Sequence, residues 1–287
     1  PTWVARALCV GSFHAQSSLL AWLMDVILQS HLPFAPWMDP RTARLPGILP
    51  LDPCDWLLCD DAFAGQMAER ERLIEAMPER VHALTPRAAL AADELYDAVL
   101  AFLEQAPGYE VGVGEVRRPD GAWVTLARAA PLLTLGRLVQ EDFCLLQHEG
   151  TQSVLTGAIL CFPANWHLYE KIGRPLTDIH QTVDSYGPIM AARVQRLFDA
   201  IRPDRPMWRG NALIYDDAEL FHPPKSQIGS SRPMVTRGFV RSERQSMMKL
   251  PLTGAVVFSI HTYLVAMESL APEVAGALKR LHQPETS

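Results

Sequence analysis

Residues 239–251 read F-V-R-S-E-R-Q-S-M-M-K-L-P, and the run G-A-V-V-F-S-I-H-T-Y-L (254–264) follows at once. This juxtaposition of a charged row and a strongly apolar stretch constrains the fold more than any other feature. The second stretch is rich in β-branched and aromatic residues and predicts a strand over residues 255–264. If residues 236–245 also form a strand, side chains alternate between its faces. Arg241, Glu243 and Gln245 then share one face, and Val240, Ser242 and Arg244 share the other. A polar row beside a buried strand is either a solvated outer surface or the lining of a pocket.

Further strands are predicted at 122–127, 153–162, 207–215 and 234–240. Helices are predicted at 17–28, from a cap at Asp60-Asp61 through Met77, at 88–105, where Leu95, Val99, Phe102 and Leu103 recur at helical spacing, and at 132–146, 189–200 and 265–281. A connection rich in proline, from Pro33 to Pro53, separates the first helix from the second. Strands gathered late in the chain, with helices inserted between them, favour an α+β fold over a wound parallel sheet. The expected division is an N-terminal extension (1–45), a helical part (46–120), a sheet-containing core (121–270) and a closing helix.

The 287-residue chain is long enough to bury a substantial core. Its net charge of −6 and dispersed arginines exclude a surface built for nucleic acid. Five scattered cysteines (Cys9, Cys54, Cys59, Cys144, Cys161) fit a reducing compartment rather than a disulfide framework. The apolar stretch 17–28 is too short to span a bilayer and contains Asp25, so no membrane segment and a cytoplasmic location are expected. The Gly112-Val113-Gly114 pair lacks the third glycine of a dinucleotide loop. No phosphate-binding loop, zinc-protease motif, serine-hydrolase elbow or C-x-x-C-H haem-attachment site occurs.

Two polar clusters remain. The first is W-H-L-Y-E-K-I-G-R-P-L-T-D-I-H-Q-T-V-D-S-Y (166–186), where Gly173 and Pro175 break regular structure and leave His180 on an irregular segment. His167, His222 and His261 are weaker candidates; His261, within an apolar strand, reads as a satisfied core histidine. The second is the row at 241–245, with Arg209 and Asn211 as companions on a neighbouring strand. Arginines and a glutamate facing inward suit recognition of carboxylates, whether haem propionates or a substrate anion. The same residues also suit an exposed strand laced with ion pairs.

The stretches C-F-P-A-N-W (161–166), E-K-I-G-R-P-L-T-D-I-H (170–180), W-R-G-N (208–211) and R-S-E-R-Q-S-M-M-K-L-P-L-T-G-A-V-V-F-S-I-H-T-Y-L (241–264), with P-L-D-P-C-D-W-L-L-C-D-D (50–61) and V-Q-E-D-F (139–143), resemble the haem-dependent oxidative N-demethylases. The resemblance covers about residues 45–275. It implies a PAS-like α+β core that holds haem b and removes a methyl group oxidatively from a secondary amine such as dimethylamine, releasing formaldehyde. It further implies O2 and a small methylated amine as substrates, and electrons from a separate flavin and iron–sulfur reductase; an oligomer is compatible with it. Within it, His180 is the expected axial iron ligand. Arg209, Arg241 and Arg244 are expected to pair with propionates or polarise bound oxygen, with Asn211 and Trp166 completing the cofactor contacts. Glu243 is expected to hold the protonated amine and Tyr186 to donate a hydrogen bond in the pocket. The chain departs from the family pattern at Thr182 and Asp184, where prolines are usual, and at Ala212, where a large aromatic residue is usual. The competing readings are a haem-binding sensor without catalysis and a degenerate interaction subunit.

Overall fold

The computed structural model describes residues 26–44, 46–179, 188–224 and 238–282, with side chains in the helix that starts at Pro188 described from residue 193. Ten strands and eight α-helices are found among them. In chain order they are β1 (Leu49–Pro50), α1 (Phe63–Ala76), α2 (Pro78–Val81), β2 (His82–Leu84), α3 (Ala89–Leu103), β3 (Glu110–Val111), β4 (Glu115–Arg117), β5 (Trp123–Thr125), α4 (Pro131–Leu138), β6 (Asp142–Glu149), β7 (Gln152–Ile159), α5 (Leu168–Lys171), α6 (Leu176–Ile179), α7 (Pro188–Ala200), β8 (Met207–Tyr215), β9 (Phe239–Lys249), β10 (Val256–Ala266) and α8 (Pro272–Leu281). The fold is α+β. Seven strands form one antiparallel sheet in the order β1-β8-β9-β10-β6-β7-β2, and β3, β4 and β5 form a separate small sheet.

The chain makes the β6–β7 hairpin, passes through α5, α6 and α7, and returns as the meander β8–β9–β10, whose last strand pairs with β6. Both faces of this sheet are buried, for a reason written in its side chains. Cys144, Leu146, Met247, Val256 and Ile260 lie on one face against Leu168, Leu176, Phe198 and Ile201 of the inserted segment. Phe143, Leu145, Ile159 and Val257 lie on the other against Leu73, Leu95, Leu132 and Leu135. These are called below the α7 side and the α1 side. Gly136 permits the second packing: a Cβ there would come within 2.7 Å of Ile159 Cγ1 on β7.

Residues 26–44 are part of the same packed body. The Gln29 amide nitrogen donates to Leu264 O (3.0 Å), and Leu264 N donates to Gln29 Oε1 (2.7 Å). These bonds serve the edge of β10 beyond Ile260, where the pairing with β6 ends. Trp37 Nε1 donates to Val274 O, which ties the segment to α8 (3.0 Å).

Several sequence expectations need correction. Residues 132–146 are not one helix: α4 ends at Leu138 and β6 starts at Asp142. An apolar run buried on both faces has no strand periodicity to betray it. The closing helix does not start at 265, because β10 continues to Ala266 and Pro272 opens α8, a position where its missing N–H costs nothing. The helix after Asp60-Asp61 exists, but its N-cap is Ala62 and no side chain caps it. Most of the strand expected at 234–240, and most of the helix expected at 17–28, lie outside the described residues, and residues 26–28 are not helical. The charged row occupies the middle of β9 rather than its end.

One buried cation organises the approach to β6. Arg70 of α1 donates to Gly136 O, Gln140 O and Glu141 O at 2.9–3.1 Å and to Asp142 Oδ1 at 2.7 Å. Asp142 also accepts from the backbone nitrogens of Cys161 and Phe162. Replacing Arg70 with Met strands a buried carboxylate and three carbonyls, a change that costs on the order of 3–5 kcal/mol. Denaturant unfolding of Arg70→Met should show that loss, and the double variant with Asp142→Asn should recover part of it.

Candidate functional site

The register of the meander assembles a polar group on the α7 side. Asn211 of β8 stands opposite Glu243, Arg209 opposite Gln245 and Leu213 opposite Arg241. Asn211 Nδ2 and Gln245 Nε2 both donate to Glu243 Oε2, at 3.0 and 2.8 Å, and Asn211 Oδ1 accepts from the Glu243 backbone nitrogen. Arg209 Nη1 donates to Gln245 Oε1 (2.8 Å) and its Nε to Pro46 O (3.2 Å). Glu243 is only 6% exposed and its second oxygen, Oε1, lies 3.5 Å from Arg241 Nε. The carboxylate is therefore hydrogen-bonded through one oxygen, while the other faces Arg241 in an ion pair.

Arg241 has a second job. Its Nη1 donates to Leu220 O (2.9 Å) and its Nη2 to Phe162 O, so one guanidinium fastens the loop after β7 to the segment after β8. The two loops also join directly, through Asn165 N to His222 O (2.8 Å) and a bridge between Ala164 and His222. Asn165 takes a left-handed backbone (φ 61°), which asparagine tolerates better than most residues. Trp166 follows and packs against the apolar cluster on the α7 side.

Three buried polar atoms on this side have no hydrogen-bond partner: Arg241 Nε, Tyr215 Oη and Thr262 Oγ1. Thr262 lies directly across β10 from Glu243. The Tyr215 ring meets the His222 ring edge-on at 4.4 Å, and the Arg241 guanidinium lies 5.9 Å from the Tyr215 ring. Natural proteins seldom leave such atoms without a hydrogen bond. Two guanidinium groups against one carboxylate also leave this row with a surplus positive charge.

The structure therefore brings together Arg209, Asn211, Arg241 and Glu243 and puts Trp166 on the same side. Arg244 is not with them; it projects to the α1 side, as the alternation of β9 requires. Ala212 also points away from Glu243 and packs with Val240 and Val265, so the small residue there does not enlarge the space beside the polar row. His180 and Tyr186 lie outside the described residues. Sequence reasoning missed Thr262 and Tyr215 as members of this group. The alternation rule flagged Gln245, but nothing local announces that a threonine and a tyrosine two strands apart will share its face.

The α1 side holds a different polar centre. His261 is 1% exposed; its Nδ1 lies 2.9 Å from Glu141 Oε1 and its Nε2 3.0 Å from Asp60 Oδ2. Asp60 is also bonded by Gln29 and Gln140, and Glu141 Oε1 accepts from Leu58 N. With both ring nitrogens committed, His261 has none left for a metal. It is the satisfied core histidine that its setting implied. Burial disfavours its charged form, but its hydrogen bonds to Asp60 and Glu141 and their charges win, raising its pKa from 6.5 to about 9. Burial likewise acts to raise the Asp60 pKa, and His261, Gln140 and Gln29 overcome it and lower the value from 3.8 to about 2.

Signs follow from these shifts. The raised His261 pKa contributes stability that is complete below pH 6.5 and is lost as pH rises through about 9. The depressed Asp60 pKa contributes stability present above pH 3.8 and lost as pH falls through about 2. Melting curves across pH 5–10 should fall on the alkaline side for the native chain, and His261→Gln should start lower and lack that limb.

Among the described residues no cluster of three or more His, Cys, Asp or Glu side chains is arranged to hold a metal ion, and no helix is long and apolar enough to cross a membrane. The model of the family described as haem-dependent oxidative N-demethylase, alpha subunit-like, matches residues 47–283. That span contains the whole meander, the Arg241 clamp and the polar row. This chain belongs to the haem-dependent oxidative N-demethylase alpha subunit-like family.

Proposed function

We propose that the chain is the haem b subunit of an oxygenase that demethylates a small secondary amine, such as dimethylamine, with release of formaldehyde. The observation that carries this reading is the polar group on the α7 side, in which Arg241 Nε, Tyr215 Oη and Thr262 Oγ1 make no hydrogen bond, inside a chain of this family. A hairpin, inserted helices and a meander returning beside the hairpin support a PAS-like core.

The residues present fit a haem group. Arg209 spends Nε and Nη1 on protein partners, which leaves Nη2 to meet a propionate. Trp166, Ile179, Val194 and Leu197 supply an apolar wall on the same side. His180 follows Ile179 directly in the chain, which supports it as the residue that would ligate the iron; Tyr186, a few residues on, would donate a hydrogen bond there. Haem, when bound, supplies the oxygen activation that no side chain here provides. Electrons come from a separate flavin and iron–sulfur reductase, consistent with an alpha subunit.

The protein's own part is orientation and charge. Asn211 and Gln245 fix one oxygen of Glu243, so that Oε1 accepts an N–H of the protonated amine. Arg241 faces that carboxylate and holds the two loops that frame the site. Arg244 and Asn211, first grouped as cofactor contacts, divide: Asn211 serves Glu243, and Arg244 faces away.

Spectra test this. Purified protein reconstituted with hemin should show a stoichiometric Soret band that moves on addition of dimethylamine. His180→Ala should lose haem or change its spin state, and an unchanged spectrum would refute the ligand. Glu243→Gln should weaken the amine-induced shift about tenfold or more while haem content holds, as expected for a hydrogen bond to a charged group. A folded protein with no Soret band would instead favour an interaction subunit, and tight binding of CO or NO without turnover a sensor.

A further inference from the structure

The α1 side of β9 carries a charge without a partner. Arg244 is only 7% exposed, and its Nη1 has no hydrogen-bond partner. It pairs across the sheet with His261 on one side and Gly210 on the other. The guanidinium carbon lies 5.3 Å from the Trp208 ring centre. Phe34 stands edge-on to both Trp208 (5.4 Å) and Tyr263 (5.5 Å). Gly210 makes room for that ring, since a Cβ there would fall 2.7 Å from Phe34 Cε2. Trp208 thus faces the cationic fork, and Phe34 joins it to Tyr263.

No neighbouring acid forms a hydrogen-bonded pair with it. Burial lowers the Arg244 pKa, and Tyr263, Glu141 and Asp55 oppose this through charge alone, with no hydrogen bond. Glu141 spends Oε1 on His261 and Leu58 N while its Oε2 makes no hydrogen bond, and Asp55 is exposed. Removing a lone guanidinium from water is costly, and an aromatic face returns only part of the loss. Protein interiors tolerate such a group when an anion completes it.

We propose that Arg244 and Tyr263 form a binding slot for a small monocarboxylate with an apolar body, distinct from the polar row on the opposite face. The planar fork matches a carboxylate in two parallel hydrogen bonds, and the Tyr263 hydroxyl supplies a third. Phe34 and Trp208 receive the apolar part. Inorganic phosphate fits less well, because it would bring further oxygens to a slot beside aromatic rings. The assignment does not depend on haem or on the amine.

Benzoate is the probe, followed by titration calorimetry, with benzyl alcohol, benzylamine and inorganic phosphate as comparisons. Saturable binding of benzoate, at least about tenfold tighter than any of the three, is expected. Arg244→Met should abolish it, and Arg244→Lys, which keeps the charge and loses the fork, should weaken it about tenfold. Without benzoate, Arg244→Met should melt at the native temperature or above it, because an unpaired buried charge has been removed. Benzoate binding that survives Arg244→Met, equal binding of benzyl alcohol, or no binding at all would overturn the proposal. So would a marked drop in melting temperature for Arg244→Met alone, since that would make the stack on Trp208 a structural contact.

Discussion

Eleven residue pairs join β9 to β10, and the rest of the molecule is arranged around that ladder. Its register puts Arg241 and Glu243 beside Leu264 and Thr262 on one face, and Arg244 beside His261 on the other. A slip of one residue would exchange these faces, sending the glutamate to the α1 side and the lone arginine to the α7 side. Each charged side chain in the row is therefore tied to the pairing of the strand that carries it.

A central strand with five successive polar residues, Arg241 to Gln245, is expensive in a sheet covered on both sides. The molecule meets the cost differently on each face. On the α7 side, Glu243, Asn211, Gln245 and Arg209 are linked in a chain of hydrogen bonds, and Arg241 is spent on the carbonyls of Leu220 and Phe162. On the α1 side, His261 bonds two carboxylates at once, while Arg244 lies against Trp208. Each face keeps buried polar atoms without a hydrogen bond: Arg241 Nε, Tyr215 Oη and Thr262 Oγ1 on the first, Glu141 Oε2 and Arg244 Nη1 on the second.

The same residues serve stability and function together. Arg241 closes the loops that carry Trp166 and His222 and also faces the second oxygen of Glu243. Asp142 receives Arg70 and the backbone of Cys161 and Phe162, and so positions the loop that Arg241 grips. Damage to the Arg70 pair would therefore reach the polar row through Phe162, although Arg70 belongs to α1.

Alternation alone determined which members of the row share a face, and it separated Arg241, Glu243 and Gln245 from Arg244 without any coordinates. Propensity located β8 to the residue and recognised α3 and α7 to within one or two. Motifs carried the family. The sequence misjudged residues 142–146, because a strand buried on both faces shows an apolar run that a helix would share. It assigned Asp60 and Asp61 to a helix cap, whereas Asp60 takes His261, Gln29 and Gln140, and Asp61 takes Ser30 N. Those partners are distant in sequence, and nothing local specifies them. Tertiary structure decided what each face meets: which polar atoms find partners, which do not, and that Arg244 stands apart from the arginines beside it. Local spacing determines direction along a strand; only packing between distant segments determines what waits in that direction.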